Sequence, residues 1–548
     1  MKNYLSELIF NYLQSIKCNM WSIVEVLKTK DLKFGDYTSN TPLRLSQMMN
    51  KRPMDIAENI KTYLEENHSK YFEKITVTEP GFVNMFLSKD LLVKQSLLFS
   101  KDNYKPVFNH IEKQKINYEF VSANPTGDLH IGHARNAIVG EISSRVLEYI
   151  GHDIYREYYI NDGGNQINEL ATSIYFYLSS FLKKDITLSK EDVGYHGKEI
   201  ISFAEKLYKE KFKLKGSTQK DEINSLKEIA TKHFLNEIKT ILNKLGLDKF
   251  DKWTSEKKIL ESEKINEMIN ILKEKDALYE KDGATWIKTE KFKDAKDRVL
   301  IKANGSYTYM VADVINHIDK IKNGCDKMID LWGKDHHGYE DRIKATLKWL
   351  GYKEKLSIDY INMVQILNGN EIVKMSKRAG TSLRIKDILK EMDVDVFKFF
   401  IVSKAKEQEM EIDINIAKQT DVSNPFYYVQ YANARVNQII EKYKNEIGEI
   451  KTLSSFKLLG EEEKEKELLR KIVEFEDVIL SINKNREPSN IINYLKELSQ
   501  SFNSYYATCK VISDNKELTN ERIILLISIK NLYKIIFKLI GIKPIDKI

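Results

Sequence analysis

Apolar side chains return at helical spacing through the first twenty residues, at Leu5, Leu8, Ile9, Tyr12, Leu13 and Ile16, which predicts an amphipathic helix. The period then shortens to strand-like in "KITVTE" and "GFVNMFLS", so residues 1–110 read as an α+β module. From 111 to about 170 the order is strand "KINYEFVSA", glycine turn, helix "HARNAIVGEISSRVLEYIG", strand "DIYREYYIND", the opening of a βαβ unit and hence of a parallel sheet. Ile138, Ile142, Val146 and Ile150 give that helix one apolar face, and Gly151 supplies its stop. Residues 170–300 are rich in Lys and Glu and mostly helical in period, with a hairpin in "DALYEKDGATWIKTEKF"; they read as an insertion in a nucleotide-binding domain. Strand signals return at "RVLIKAN", "MIDLWG" and "YINMVQILNGNEIVKMS", where Asn368-Gly369 marks a turn and the sheet is expected to close. Amphipathic helices fill 421–548. The expected architecture is α/β: a parallel-sheet domain over 111–420, between the N-terminal module and an all-α C-terminal bundle.

Composition narrows the class. At 548 residues, 42% apolar and 30% charged, the chain has the make-up of a globular protein of several domains, and no run approaches about 18 apolar residues. The N-terminal stretch is interrupted by Ser6, Glu7 and Asn11, unlike the apolar core of a signal peptide. Three cysteines, Cys18, Cys325 and Cys509, form no pair at metal-ligand spacing, which suits a reducing cytoplasm. A net charge of +7 permits a polyanionic partner without specifying one.

The candidate chemistry is concentrated in "NPTGDLHIGHARN", residues 124–136. Gly127 and Gly132 permit close backbone approach, and the following helix aims its unpaired amides and dipole at whatever lies before it, an arrangement that suits phosphate. The run is neither G-x-G-x-x-G nor a P-loop. His130 and His133 are also spaced for a metal or a structural role, but no cysteine or carboxylate at ligand spacing accompanies them. On the helix through "TYMVADVINH", Tyr309 and Asp313 are four apart, so a phenol and a carboxylate share a face and can converge on one ligand; the plain alternative is an exposed helical acid.

"HIGH" after a first strand, followed by "KMSKRAGT" at 374–381, resembles the signature pair of class I aminoacyl-tRNA synthetases. Together with "YYINDGGNQI", "TYMVADVINHIDK", "WGKDHHGYEDR" and "NPFYYVQYANAR", and with "FGDYTSN" and "EPGFVNMFLS" near the N-terminus, it resembles the arginyl-tRNA synthetase family in that family's order. The resemblance implies a Rossmann-type catalytic domain, an N-terminal domain that contacts the tRNA elbow and a helical anticodon-binding domain. ATP, with Mg²⁺, would be held by His130, Gly132, His133, Lys374, Met375, Ser376 and Lys377, of which His130, His133, Lys374 and Lys377 would serve catalysis. Arginine would be held by Glu119, Ser122, Asn124, His133, Tyr309, Asp313 and Asp335. Tyr428 and Tyr431 would stack on anticodon bases, and "FNSYYATCK" would offer a second aromatic patch.

The implied reaction activates L-arginine on ATP and transfers it to tRNA(Arg), in a monomer whose activation step generally awaits tRNA. Rival readings are a catalytically silent synthetase-like RNA-binding protein, a small-molecule nucleotidylyltransferase and a class I synthetase of different specificity. Two departures from the family pattern stand at "DVFKFF", with Lys398 where arginine is usual, and at Ile548, where a terminal methionine is usual.

Overall fold

The parallel sheet foreseen from residue 115 onward has five strands, in spatial order Leu356–Ile361, Lys327–Gly333, Lys115–Glu119, Asp153–Ile160 and Lys252–Ser255. Strands flanked by helices on both faces are apolar along most of their length, and Lys115–Glu119 is exposed only at its first residue. In this computed structural model all residues are described except 109, 110, 248, 353, 354, 370, 373–383, 452, 454, 455, 547 and 548, and the side chain of residue 372.

Two compact units divide the chain: one comprises 109–419 with 486–489, the other 1–108, 420–485 and 490–548. In the first, the strand that comes first in sequence lies between the second strand and the fourth. The connections therefore leave Lys115–Glu119 in one direction and Lys327–Gly333 in the other, which makes the carboxyl ends of those two strands a topological switch point. Such a switch point is where open α/β sheets bind ligands. Helix Ile131–Ile150 follows the first strand with Ile138, Ile142, Val146 and Ile150 buried, and Gly151 ends it at φ 111°.

Pairing partners depart from the sequence expectation in two places. "RVLIKAN" forms a strand, Arg298–Ile301, but it pairs antiparallel with Ala284–Ile287 in a small three-stranded sheet. The run at "YINMVQILNGNEI" does not close the parallel sheet. Leu356–Ile361 is its edge, and Val364–Asn368 turns at Asn368-Gly369 to pair with Glu371–Ile372 and, on its other side, with Met410–Asp413 in a separate sheet. A short apolar strand carries its propensity in its sequence but not the identity of its partner. Within 170–300, helices Asn165–Leu182, Lys198–Lys209 and Gln219–Lys244 share a core around Leu170, Ile174, Phe203 and Phe234. The chain then rejoins the parallel sheet at Lys252–Ser255.

The second unit joins the two ends of the sequence. A four-stranded antiparallel sheet, Val26–Lys28, Tyr37–Ser39, Phe82–Leu87 and Phe72–Thr78 in spatial order, packs with helices that include Lys2–Ser15. That first helix buries Leu5, Leu8, Ile9, Tyr12 and Leu13, whereas Ile16 lies beyond its end and is exposed. C-terminal helices complete the unit: the Tyr37 hydroxyl donates to Asp477 at 2.7 Å and the Arg470 guanidinium to Asp36 at 2.8 Å. Among the described residues no helix is long and apolar enough to cross a membrane.

Candidate functional site

His130 is the N-cap of helix Ile131–Ile150, and His133 lies one turn along. The two rings stack at 3.7 Å between centroids and 18° between planes. The His130 backbone N–H donates to Nδ1 of His133 at 3.3 Å, so in the neutral ring the proton sits on Nε2. A side chain at Gly132 would bring Cβ to 3.1 Å from the His130 ring; glycine leaves that space open at the helix N-terminus, where the dipole favours an anion.

Both flanks of segment 373–383 return to this turn. On one side Met363 precedes strand Val364–Asn368, with its sulfur 3.9 Å from where a Gly132 Cβ would lie. On the other, Arg384 forms a β-bridge with His130 and Ile385 N–H donates to Leu129 O at 2.9 Å. Asp128 holds this flank through Lys386 at 2.6 Å and Arg384 at 3.4 Å. Lys374, Met375, Ser376 and Lys377 themselves lie outside the described residues.

The first strand ends under strain. Val121 and Ser122 have φ of 69° and 38°, a region costing non-glycine residues on the order of 1–3 kcal/mol. Asn136 stabilises the bend: its Oδ1 accepts from Val121 N–H at 2.6 Å and its Nδ2 donates to Leu331 O at 2.7 Å, linking the helix to both central strands. The bend turns Ser122 Oγ back to donate to Glu119 at 3.0 Å, while the same oxygen accepts from Tyr159 N–H at 3.0 Å. Asn124 donates to Gln166.

Beside this bend lies a group of buried acids. Asp313, on helix Tyr309–Lys322, accepts from the Tyr339 hydroxyl at 2.7 Å and is partly buried, unlike an ordinary surface acid of a helix. Burial raises its pKa, against the pull of the Tyr339 hydrogen bond. Glu119 is engaged by its own chain: Lys320 Nζ reaches Oε2 at 2.6 Å, and Ser122 occupies Oε1. Burial pushes the Glu119 carboxyl up to about 7, with the Lys320 ammonium pulling the other way. Lys320 also meets Asp330 at 3.1 Å, and His317 bridges Asp330 Oδ2 at 2.9 Å to the backbone oxygen of Asp313 at 2.7 Å. Asp330 is held down to about 2 by Lys320 and His317, although burial alone would raise it.

Glu256 completes the group. It begins the short helix after strand Lys252–Ser255, is 2% exposed, and accepts from Gly163 N–H at 3.3 Å. Burial, reinforced by Asp313, pushes its carboxyl up to about 7. Asp313, Glu256 and Glu119 all act electrostatically on the phenol of Tyr159, whose buried hydroxyl has no hydrogen-bond partner among the described residues. Leaving a hydroxyl so placed costs about 1–3 kcal/mol, so acids and phenol together form a cradle suited to a polar cation. Tyr309 packs over the turn at Gly163-Gly164 and is 56% exposed; a Cβ on Gly164 would meet its hydroxyl at 3.0 Å. Asp335 stands apart from the acids, its carboxylate 83% exposed and 3.8 Å from His336.

The sequence reading missed Glu256, Tyr159, Tyr339 and Lys320. For Lys320 a signal existed: Asp313, Asn316, His317 and Lys320 recur at intervals of three, one and three, a polar stripe on a helix whose other faces are apolar. Tyr339 and Glu256 come from other elements, and only the fold brings them close.

In the second unit, Tyr428 and Tyr431 lie on helix Pro425–Glu446, both partly exposed, and the Tyr431 hydroxyl donates to Thr420 O at 2.6 Å. The same helix holds the C-terminal segment by side-chain amides: Gln430 bonds Lys543 O and Ile545 N–H, each at 2.9 Å, and Asn433 bonds Ile545 O at 3.0 Å. Ile548 lies outside the described residues. In "FNSYYATCK", Tyr505 is buried, whereas Tyr506 is 41% exposed beneath the Arg435 guanidinium at 5.4 Å. In the first unit, Lys398 pairs with Asp395 at 2.7 Å.

Residues 93–443 match the family described as tRNA synthetases class I (R), catalytic domain. Residues 3–87 match the arginyl tRNA synthetase N terminal domain, and 429–548 the DALR anticodon binding domain. An arginine--tRNA ligase of Staphylococcus aureus strain Mu3 is 35% identical over 522 residues, 95% of this chain and 94% of that protein. Arginyl-tRNA synthetase structures from Thermus thermophilus (TM-score 0.78, 18% identity, 100% of both chains) and Plasmodium falciparum (TM-score 0.74, 20% identity, 100% of this chain and 99% of that one) share the fold.

Proposed function

The chain belongs to the arginyl-tRNA synthetase family, and from that premise we propose how its own residues divide the work. The reaction is ATP-dependent charging of tRNA with arginine. In the first step the arginine carboxylate attacks the α-phosphorus of ATP, the bond to the β-phosphate oxygen breaks, and pyrophosphate leaves. In the second, a ribose hydroxyl of the tRNA's terminal adenosine attacks the adenylate carbonyl and AMP leaves. No covalent bond to the protein is needed, so its task is positioning and electrostatic stabilisation.

The observation that carries the assignment is the cluster of Asp313, Glu256 and Glu119 around the Tyr159 hydroxyl, which has no partner among the described residues, at the switch point. Asp313, aimed by Tyr339, takes the guanidinium; Tyr309 covers it; Glu256 adds a second negative charge. Glu119, already paired with Lys320, shapes the floor and presents Ser122 toward the substrate's amino group, with Asn124 beside it. His130 and His133 donate to the phosphates of ATP, supplied as its Mg²⁺ complex, and Lys374 and Lys377 neutralise departing pyrophosphate while Met375 and Ser376 line the nucleotide. Asp335, at the far rim, is the weakest member of the arginine set on this geometry.

Residues 1–110 reach the tRNA elbow, 111–420 carry the chemistry with the 170–300 region as an accessory, and 421–548 read the anticodon through Tyr428 and Tyr431. The protein works as a cytoplasmic monomer. The test is charging of tRNA(Arg) with labelled arginine, alongside ATP–pyrophosphate exchange with and without tRNA. Charging, with exchange that appears only when tRNA is present, supports the reading. A folded protein that binds tRNA but charges it with no amino acid is instead the silent RNA-binding protein.

A further inference from the structure

Arg135 is 0% exposed, yet among the described residues no carboxylate lies at ion-pair distance from it. Its partners are backbone oxygens. Nη1 donates to Asn362 O at 2.9 Å, to Gln408 O at 2.8 Å and, more loosely, to Met363 O at 3.4 Å, and Nη2 donates to Ala405 O at 2.7 Å. Burying a guanidinium against neutral carbonyls is costly, and burial lowers its pKa to about 10, so the ring of oxygens still holds a cation at neutral pH.

The two segments gathered by this fork are the lead-ins to a parallel strand pair. Residues 362–363 open strand Val364–Asn368, residues 405–408 precede Met410–Asp413, and the strands start in register at Val364 and Met410. Asn362 reinforces the junction, its backbone N–H donating to Lys406 O at 2.8 Å and its side chain to Glu407 O at 3.2 Å. The first of these strands leads in sequence to the 374–381 signature, and Met363 lies against Gly132, one turn before Arg135.

The geometry points to Arg135 as a positioning residue for the nucleotide half of the reaction: it sets the strand pair that carries the second signature against the His130–His133 turn. It touches neither substrate and acts through the backbone of 362–363 and 405–408. Lysine has the charge but not the planar fork, so it cannot hold both segments as Arg135 does. This inference rests on the proposed ATP site at that turn.

The experiment is tRNA-supported ATP–pyrophosphate exchange on the full chain, comparing wild type with Arg135→Lys and Arg135→Met and titrating ATP and arginine separately. The expected result is a KM for ATP raised about tenfold or more in both variants, with kcat reduced, while KM for arginine stays within about twofold. Where Arg135→Met does not fold, Arg135→Lys and Asn362→Ala decide, the latter with a smaller shift of the same sign. Folded variants with wild-type constants, or a KM for arginine that rises as much as that for ATP, overturn the inference and leave the proposed function standing. Wild-type protein that lacks arginine-dependent exchange overturns both.

Discussion

Lys320 and Arg135 are both buried cations in the catalytic unit, and the chain accommodates them in opposite ways. Lys320 sits against carboxylates, Glu119 at 2.6 Å and Asp330 at 3.1 Å. Arg135 sits against four carbonyl oxygens. The difference follows from what each region must do next. Around Lys320 the acids outnumber the internal ammonium, with Glu119, Asp330, Glu157 and Asp313 all acting on it or responding to it, and the surplus suits an incoming cation. Around Arg135 a rigid fork against carbonyls fixes backbone, and the guanidinium keeps its charge with Glu487 as the carboxylate acting on it. One region is prepared for a charge, the other for a shape.

The comparison breaks most readily at Asp313. Asp313→Ala should cut kcat/KM for arginine by about 10³-fold or more, because a buried guanidinium then lacks its partner; steady-state charging with a loss under tenfold would place the specificity elsewhere. Next in size, His133→Ala or Lys377→Ala should slow adenylate formation about 10²-fold to 10³-fold with the fold intact. Single-turnover exchange near the wild-type rate would remove that residue from the mechanism.

Lys320→Met tests the acid-lined region directly. Removing the ammonium leaves Glu119 and Asp330 buried without their cation, at a cost of about 3–5 kcal/mol, read as a lower urea midpoint. An unchanged midpoint would mean that the pair contributes nothing to stability. Tyr431→Ala should weaken tRNA binding by about 1–3 kcal/mol with no effect on KM for arginine; unaltered filter-binding affinity would leave Tyr431 a packing residue.

The smallest effect is in pH. Burial raises the Glu119 carboxyl from its ordinary 4.5 to about 7, so the folded state holds that proton more tightly than the unfolded chain does. The resulting stability is present below about 4.5 and drains away as pH rises toward 7. Asp313 shifts the same way, and only its ionised form pairs with a guanidinium. Glu256, pushed up to about 7, gains its charge across neutral pH, so KM for arginine should fall as pH rises through about 7, and Glu119→Gln should flatten the stability profile. A KM that rises with pH would contradict the assignment.

How much of this could be read from the chain alone depended on distance in sequence. The helix Ile131–Ile150, its apolar face and its Gly151 stop were legible because their signals are local, and so was the shared face of Tyr309 and Asp313. Strand partners were not: "RVLIKAN" has the right residues for any sheet and joins the smaller one. The resemblance proposes Glu119 for the arginine pocket, but nothing local in the sequence shows that Lys320 holds it, since their contact spans 201 residues. Glu256 and Tyr339 carry no motif; they face Asp313 only because the carboxyl ends of different strands converge.

The most direct test of the acid-lined pocket compares arginine with citrulline, whose neutral urea group matches the guanidinium in shape, in tRNA charging by wild type and Asp313→Asn. The account predicts that wild type charges arginine and rejects citrulline, and that Asp313→Asn loses arginine charging by orders of magnitude without a matching change for citrulline. Equal use of both substrates by wild type, or undiminished arginine charging by Asp313→Asn, would show that charge at Asp313 is not what selects the substrate.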